Sequence, residues 1–275
     1  MGSITKLAGA EIPEPARQLL NTYVESARLL GERTAAMHET LASETEDRNF
    51  APEPFTPHSQ RGLFQAIRNL TRQNFQLLAR QLKNLPPEIR EEAQPVLALE
   101  PEIIKRLRAL YERRIDAVRI RIHGDYHLGQ VLHTGKEFLI IDFEGEPALS
   151  ISERRLKRSP LQDVAGMVRS FHCAAQAALR KQIERGTLAN AQLPETLLWA
   201  RFWSRWVGAV FFKAYHQAAV SLLPANETDL QVMMDAFLLR KAVYELGYEL
   251  NNRPDWVNIP LQGILELAGA EKHPT

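Results

Sequence analysis

The chain has 275 residues, 45% of them hydrophobic, with 34 Lys and Arg against 33 Asp and Glu for a net charge of +1. That size and apolar share suit one large or two small folded domains with a real core, and the balanced charge gives no basic footprint for nucleic acid or an anionic membrane. No apolar run is long enough to span a bilayer and the start lacks a signal-peptide pattern, so the expected setting is the cytoplasm. The single cysteine, Cys173, excludes an internal disulfide and a Cys-based zinc site. Within the apolar run SFHCAAQAAL it is expected to be buried and inert.

Residues 1–14 read as a flexible lead. From 15 to 46, Leu19, Leu20, Val24, Ala27 and Leu30, and then Met37 and Leu41, recur at threes and fours, the pattern of a helix, with Gly31 as an interruption. The proline-rich stretch DRNFAPEPFTPHS ends it. A second helix is expected from about 60 to 83, a short one between Pro87 and Pro95, and another over roughly 99–116. The texture then changes. VRIRIH alternates as a strand does, and VLHTGKEFLIIDFEGEP reads as a hairpin turning at Thr134, Gly135 and Lys136, with FLII as its buried arm. Helices resume at about 162–184, 194–220, 226–250 and 260–269. The fold expected is mainly α with a small central β-hairpin region, an arrangement in which the hairpin holds something.

The stretch HGDYHLGQ, residues 123–130, packs two histidines, an aspartate and a glutamine between two glycines. Alone it fits a metal site, a polar turn or a phosphotransferase loop. Its surroundings discriminate. Gln130 follows Asp125 by five residues, and Asp142-Phe143-Glu144 comes after the hairpin. Protein kinases place an Asn five residues after the catalytic Asp, and a metal-binding Asp-Phe-Gly further on. In that chemistry Asp125 accepts or orients a hydroxyl proton. Gln130 and Asp142 supply hard oxygen ligands for magnesium, and Glu144 adds a carboxylate beside them. His127 either props the loop or touches substrate. A zinc site from His123, His127 and His133 is the competing idea, but the spacing matches no known ligand pattern.

Three further stretches carry polar groups. Asp163, after a proline loop and before an amphipathic run, suits a helix N-cap. ERRLKR, residues 153–158, is a solvated loop by default, though an arginine so close to Asp142 could meet phosphate. In KAVYELGYELNNRPDW, Lys241, Glu245 and Glu249 share one helical face, while Tyr244 and Tyr248 share another. These are surface ion pairs beside a tyrosine edge, or a surface for sugar, whose hydroxyls take carboxylates and whose C–H face stacks on rings. The helix LLWARFWSRWVGAVFFKAYHQ is chiefly core, with Lys213 and Tyr215 as residues that could reach a cleft.

Together HGDYHLGQVL, IDFEGEP, ERRLKRSPLQDVAGMVRSFH and YELGYELNNRPDW resemble the bacterial maltokinases, including those fused to trehalose synthase. LLGERTAAMHETLAS and FAPEPF near the start agree, so the resemblance runs from about residue 15 to 268. It implies ATP- and magnesium-dependent phosphorylation of maltose at the anomeric hydroxyl, giving maltose 1-phosphate for trehalose, glycogen and other α-glucan metabolism. It implies a fold like the aminoglycoside phosphotransferases and protein kinases. Asp125 would then be the base, Gln130, Asp142 and Glu144 the metal site, and His123 and Asp163 supports of the catalytic loop. His127, Tyr215, Lys241, Tyr244, Glu245 and Tyr248 are the candidates for sugar contact.

One departure matters. Kinase-like enzymes bind ATP against a strand-rich N-lobe with a glycine-rich loop and a phosphate-pairing lysine, and no such unit precedes VRIRIH here. Residues 15–270 therefore read as the C-lobe alone. A trehalose synthase domain or another partner would supply the ATP lobe. The alternatives are a non-catalytic maltose-binding or scaffold module, and a related kinase acting on another alcohol such as an aminoglycoside or choline.

Overall fold

The computed structural model describes residues 3–188 and 193–269. Residues 1 and 2 of the expected lead and residue 270 of the expected C-lobe lie outside the described residues. In chain order the helices and strands are α1 (Ile4–Gly9), α2 (Glu14–Leu20), α3 (Thr22–Ala42), β1 (Glu53–Pro54), α4 (Pro57–Gln81), α5 (Pro87–Ala98), α6 (Glu100–Leu107) and α7 (Ala109–Glu112). They continue with β2 (Val118–Arg119), β3 (Val131–His133), β4 (Phe138–Ile140), α8 (Ile151–Arg154), α9 (Leu161–Glu184), α10 (Leu193–Ala218), α11 (Glu227–Asn252) and α12 (Asn258–Leu267). The mainly helical fold with a small hairpin is thus present. The described residues fall into two compact units: 3–54 with 117–188 and 193–225, and 55–116 with 226–269.

In the first of these units, α3, α9 and α10 pack together and α1 lies on α10. The stripe Ala27, Leu30, Gly31, Thr34, Ala35 and His38 is the buried face of α3. Gly31, read from the sequence as an interruption, is where the two helices meet most closely: a Cβ there would overlap the carbonyl oxygen of Phe211 on α10. The lead expected to be flexible instead forms α1, because Ala8 is buried and Ile4 reaches the α10 surface at Gly208. The long helix expected from 15 to 46 breaks at Asn21, whose φ of 41° is a turn that asparagine tolerates better than most residues.

In the other unit, α4 packs against α11, and α12 lies against α11 and α5. Thr56 caps α4 by accepting from Ser59 N–H at 3.2 Å, and Pro57 suits the first turn. The α4–α11 crossing is close at Gly247, where Asn74 Nδ2 donates to the Val243 carbonyl at 2.8 Å. Pro95 does not end α5, as the sequence suggested. The helix continues to Ala98 because Ala93 and Val96 are fully buried, and that packing offsets the hydrogen bond the proline removes.

The strands are short. β1 and β2 pair antiparallel, with Glu53 opposite Arg119, and Ile120 bridges to Arg158. VRIRIH stops being a strand there, since the next backbone donors turn to a side chain instead. β3 and β4 form the expected hairpin, with Leu132 opposite Leu139. FLII is not a buried arm, however. Leu132 and Leu139 are about half exposed, and Ile141 and Phe143 are exposed as well, because a two-stranded sheet has two faces and only one is covered by this chain. Cys173 is likewise half-buried rather than buried. Among the described residues no helix is long and apolar enough to cross a membrane.

A side chain at position 31 has no room. Gly31→Val is expected to lower the unfolding free energy by about 2 kcal/mol or more through overpacking. Urea unfolding measures this, and an unchanged midpoint would contradict the close α3–α10 contact.

Candidate active site

The site is built around a buried carboxylate. Asp163, 1% exposed, sits in the first turn of α9. It is not the N-cap the sequence suggested: Pro160 holds that position and no side chain caps the helix. The Asp163 carboxylate faces the loop instead. Its Oδ2 accepts from His123 N–H at 2.7 Å and its Oδ1 from Gly124 N–H at 3.0 Å. Oδ2 also meets His38 Nε2 at 3.1 Å. Bonds to a carboxylate acceptor are each worth about 1.5–3 kcal/mol, and more is lost when a buried donor is stranded.

His38 passes the network on. Its Nδ1 lies 2.9 Å from Tyr215 Oη. Burial, then Asp163 and Glu39, push the Tyr215 phenol well above its usual range, so it stays protonated and donates to His38. Tyr215 is therefore not a cleft residue. At 0% exposure with its hydroxyl committed, it belongs to the core, which corrects its assignment to sugar contact. Beside it Thr34 Oγ1 bonds Tyr126 Oη at 2.8 Å and the Leu30 carbonyl at 2.7 Å. Burial likewise raises the Tyr126 phenol, against the Thr34 bond.

The loop itself is held at four points. Gly124 takes φ 89°, the left-handed conformation that glycine adopts without strain. Asp125 N–H donates to His123 Nδ1 at 3.3 Å, and His123 Nε2 lies 2.8 Å from the Ile141 carbonyl. This pattern assigns the Nε2–H tautomer and ties the Asp125 turn to the residue preceding Asp142. Leu128 N–H donates to Ser170 on α9 at 2.8 Å. Tyr126 rests its carbonyl on Gly166 of α9, where a Cβ would block it.

Asp125 is about one-fifth exposed, and His127 stands 3.8 Å from it while accepting Gly129 N–H at 3.0 Å. Gln130 Nε2 donates to Asp142 Oδ2 at 3.1 Å, and Gln130 carbonyl accepts Ile141 N–H at 3.0 Å. Asp142 has φ 63°, unusual outside glycine and a feature that clusters at functional sites. Glu144 is exposed two residues on and makes no hydrogen bond to either among the described residues. Gln130 and Asp142 fit magnesium, which takes one or two carboxylates and completes its shell with water and phosphate. His123, His127 and His133 do not converge: among the described residues no group of three or more His, Cys, Asp or Glu side chains could hold a metal.

The remaining candidates lie on α11, in the other unit. Lys241, Tyr244, Glu245 and Tyr248 stay out of the buried face, with Lys241 Nζ 5.2 Å over the Tyr244 ring, so the two expected faces adjoin, and Tyr248 is 48% exposed. Glu249 is buried and forms a bidentate pair with Arg253, at 2.9 and 2.6 Å. In ERRLKR, Arg154 is bonded to the Leu149 and Pro147 carbonyls and Lys157 to Arg48 and Glu53. Sequence reasoning missed His38, Thr34 and Ser170. The signal was present for the first two: both polar residues fall on the otherwise apolar stripe of α3. It also missed Arg33, which holds Glu137 of the hairpin turn at 2.6 and 2.5 Å and keeps that carboxyl below its usual range.

Asp163→Ala is expected to lower the unfolding free energy by about 3–5 kcal/mol, and Asp163→Asn by less, in urea titrations. A loss under about 1 kcal/mol would contradict the bracing geometry. Both buried phenols hold their protons above about pH 10 in the fold, whereas the unfolded chain releases them there. The folded state then binds more protons, so stability is full below about pH 10 and falls as pH rises beyond it. Tyr126→Phe is expected to shallow that fall, and an identical alkaline profile would contradict the raised phenol.

Residues 4–203 match the APH phosphotransferase enzyme family. A glucosamine kinase of Mycolicibacterium smegmatis is 30% identical over 140 residues, half of this chain and 32% of that protein. One of Streptacidiphilus jiangxiensis is 23% identical over 148 residues, 54% of this chain and 31% of that protein. The chain thus spans about a third of the length of the curated relatives it matches. Among solved structures, a glucosamine kinase in crystal form B superposes with a TM-score of 0.70 at 22% identity, over 96% of this chain and 59% of that one. Another, in complex with glucosamine, ADP and inorganic phosphate, gives 0.69 at 21% identity, over 96% and 56%. A kinase-like fold, a carboxylate-braced loop and a match over most of the chain lead to one statement: the chain belongs to the APH phosphotransferase enzyme family.

Proposed function

We propose that this chain is the acceptor-side lobe of a sugar kinase, transferring the γ-phosphoryl group of ATP to a sugar hydroxyl. The observation that carries the reading is the Asp125 loop with Gln130 hydrogen-bonded to Asp142. Magnesium with ATP supplies, when bound, the phosphoryl group and the neutralisation of its charge. Gln130 and Asp142 would hold the metal, and Glu144, two residues on, would add a carboxylate. Asp125 would take the acceptor hydroxyl's proton as that oxygen bonds to the γ-phosphorus and the bond from this phosphorus to the bridging oxygen breaks, releasing ADP. His127, 3.8 Å from Asp125, orients that carboxylate or the hydroxyl. The exposed Leu132, Leu139 and Ile141 side chains are apolar, which suits a nucleotide base or the ATP-bearing lobe. Lys241, Tyr244, Glu245 and Tyr248 are assigned to sugar by chemistry, with ring faces for C–H and charged groups for hydroxyls.

Maltose, phosphorylated at the anomeric hydroxyl, is the acceptor proposed, from the likeness of HGDYHLGQVL, IDFEGEP and YELGYELNNRPDW to maltokinases. That reading places the protein in trehalose and glycogen metabolism, beside a trehalose synthase domain or partner. The named relatives favour a second acceptor, glucosamine. The chain is to be assayed alone and joined to an ATP-binding N-lobe, with maltose, glucosamine and glucose as acceptors, by ADP release and phosphorus NMR. Maltose 1-phosphate is expected, with kcat in Asp125→Asn lower by about 10²–10⁴-fold. Glucosamine phosphate as the main product would replace the acceptor, and no sugar phosphate from either form would overturn the kinase reading.

A further inference from the structure

Away from the Asp125 loop, α4, α6 and α7 of the other unit enclose a basic groove that the phosphotransfer chemistry does not use. Two depressions of about 410 and 460 Å³ share Arg72, Ile104 and Arg108, and so run together. Arg61, Arg68, Arg72, Lys105 and Arg108 line them against a single carboxylate, Glu100. That is a strong local excess in a chain whose net charge is only +1. Glu100 stands 3.9 Å from Arg72. Among the described residues Arg61, Lys105 and Arg108 have no carboxylate partner. Arg68 lies 5.7 Å over the Phe64 ring, and its Nε is shielded from solvent without a hydrogen-bond acceptor. A buried guanidinium donor left unbonded costs free energy that an incoming oxygen would recover.

From these features we infer that the groove docks an acidic peptide segment of a partner protein. Arg61, Arg68 and Arg72 fall within about 40° of one another around α4, and extend along about 16 Å of its axis at 1.5 Å per residue. Arg68 and Arg72 are about 6 Å apart along that axis, close to the roughly 6.7 Å between alternate side chains of an extended peptide. A compact anion cannot reach both ends of the stripe. Nucleic acid is disfavoured because base stacking needs an open ring face. Phe64 is buried, packed edge-on by Tyr111 at 4.7 Å and roofed by Arg68. Ile104 gives the floor one apolar contact for an aliphatic side chain.

The test is fluorescence anisotropy with a short labelled glutamate peptide containing a central leucine, titrated with the 275-residue chain at low and higher salt. Saturable binding that weakens with salt is expected. Arg68→Glu and Arg108→Glu are each expected to weaken it about tenfold or more. Arg68→Lys keeps most of the affinity, and Arg80→Glu, off the stripe on the same helix, changes it less than about twofold. Thermal unfolding of each variant establishes that it is folded. Equal losses for Arg80→Glu and Arg68→Glu would overturn the inference. So would displacement by inorganic phosphate beyond that by chloride at matched ionic strength, which reassigns the groove to a small anion. Tighter binding of a single-stranded oligonucleotide than of the peptide would reassign it to nucleic acid.

Discussion

The catalytic-type loop depends on one carboxylate reaching out of a helix. The buried face of α9 fixes Asp163 in the first turn, among Leu161, Val164 and Ala165. From there it takes the backbone donors of His123 and Gly124, which a strand would have paired with a neighbour. The strand therefore ends, Gly124 turns through a left-handed conformation, and Asp125 emerges partly exposed. His123 carries the constraint across to Ile141, so Asp125 and Asp142 are positioned by a shared set of bonds. His38 and Tyr215 close the set from α3 and α10. Such a network is worth its cost only when every member is satisfied. The accounting here is complete: a carboxylate with three donors, and an imidazole with an acceptor on one nitrogen and a donor on the other.

Much of this was legible in the chain. Helical spacing located α4, α9, α10 and α11 to within a few residues, since each buries a long apolar stripe, but it ran α2 and α3 together across Asn21. The hairpin between Gln130 and Asp142 returns the chain, and the two side chains meet at its base. Other features were not readable, for physical reasons. Tyr215 carries both an apolar ring and a hydroxyl, so helix periodicity alone does not tell core from cleft. The buried partner, His38, decides it. FLII looks like a core strand by composition, but burial depends on what covers each face of the hairpin. Pro95 survives inside α5 because tertiary packing outweighs a local penalty. His38 and Thr34 could have been found as polar residues on an apolar stripe, which calls for a buried partner.

The chemistry of the loop matches its membership in a phosphotransferase family. A partly exposed carboxylate, Asp125, lies on a loop fixed by bonds from behind, and Gln130 is hydrogen-bonded to a second carboxylate, Asp142. This is preorganisation: the groups that would meet a hydroxyl and a metal need not be collected at the moment of reaction. Leu132, Leu139 and Ile141 of the hairpin and Tyr248 of α11 are large apolar or aromatic side chains left exposed. The basic groove of α4 has a different character, with charge spread along a helix rather than focused on a point.

The proposed reaction turns on Asp125 meeting the hydroxyl of an acceptor sugar. The most direct measurement is a calorimetric titration of maltose, with glucosamine in parallel, into the chain with magnesium present, alongside Asp125→Ala. Loss of a charged hydrogen bond to a hydroxyl is worth about 1.5–3 kcal/mol, so the variant is expected to bind about ten- to a hundredfold more weakly. Binding by neither sugar, or equal binding by the variant, would contradict the claim.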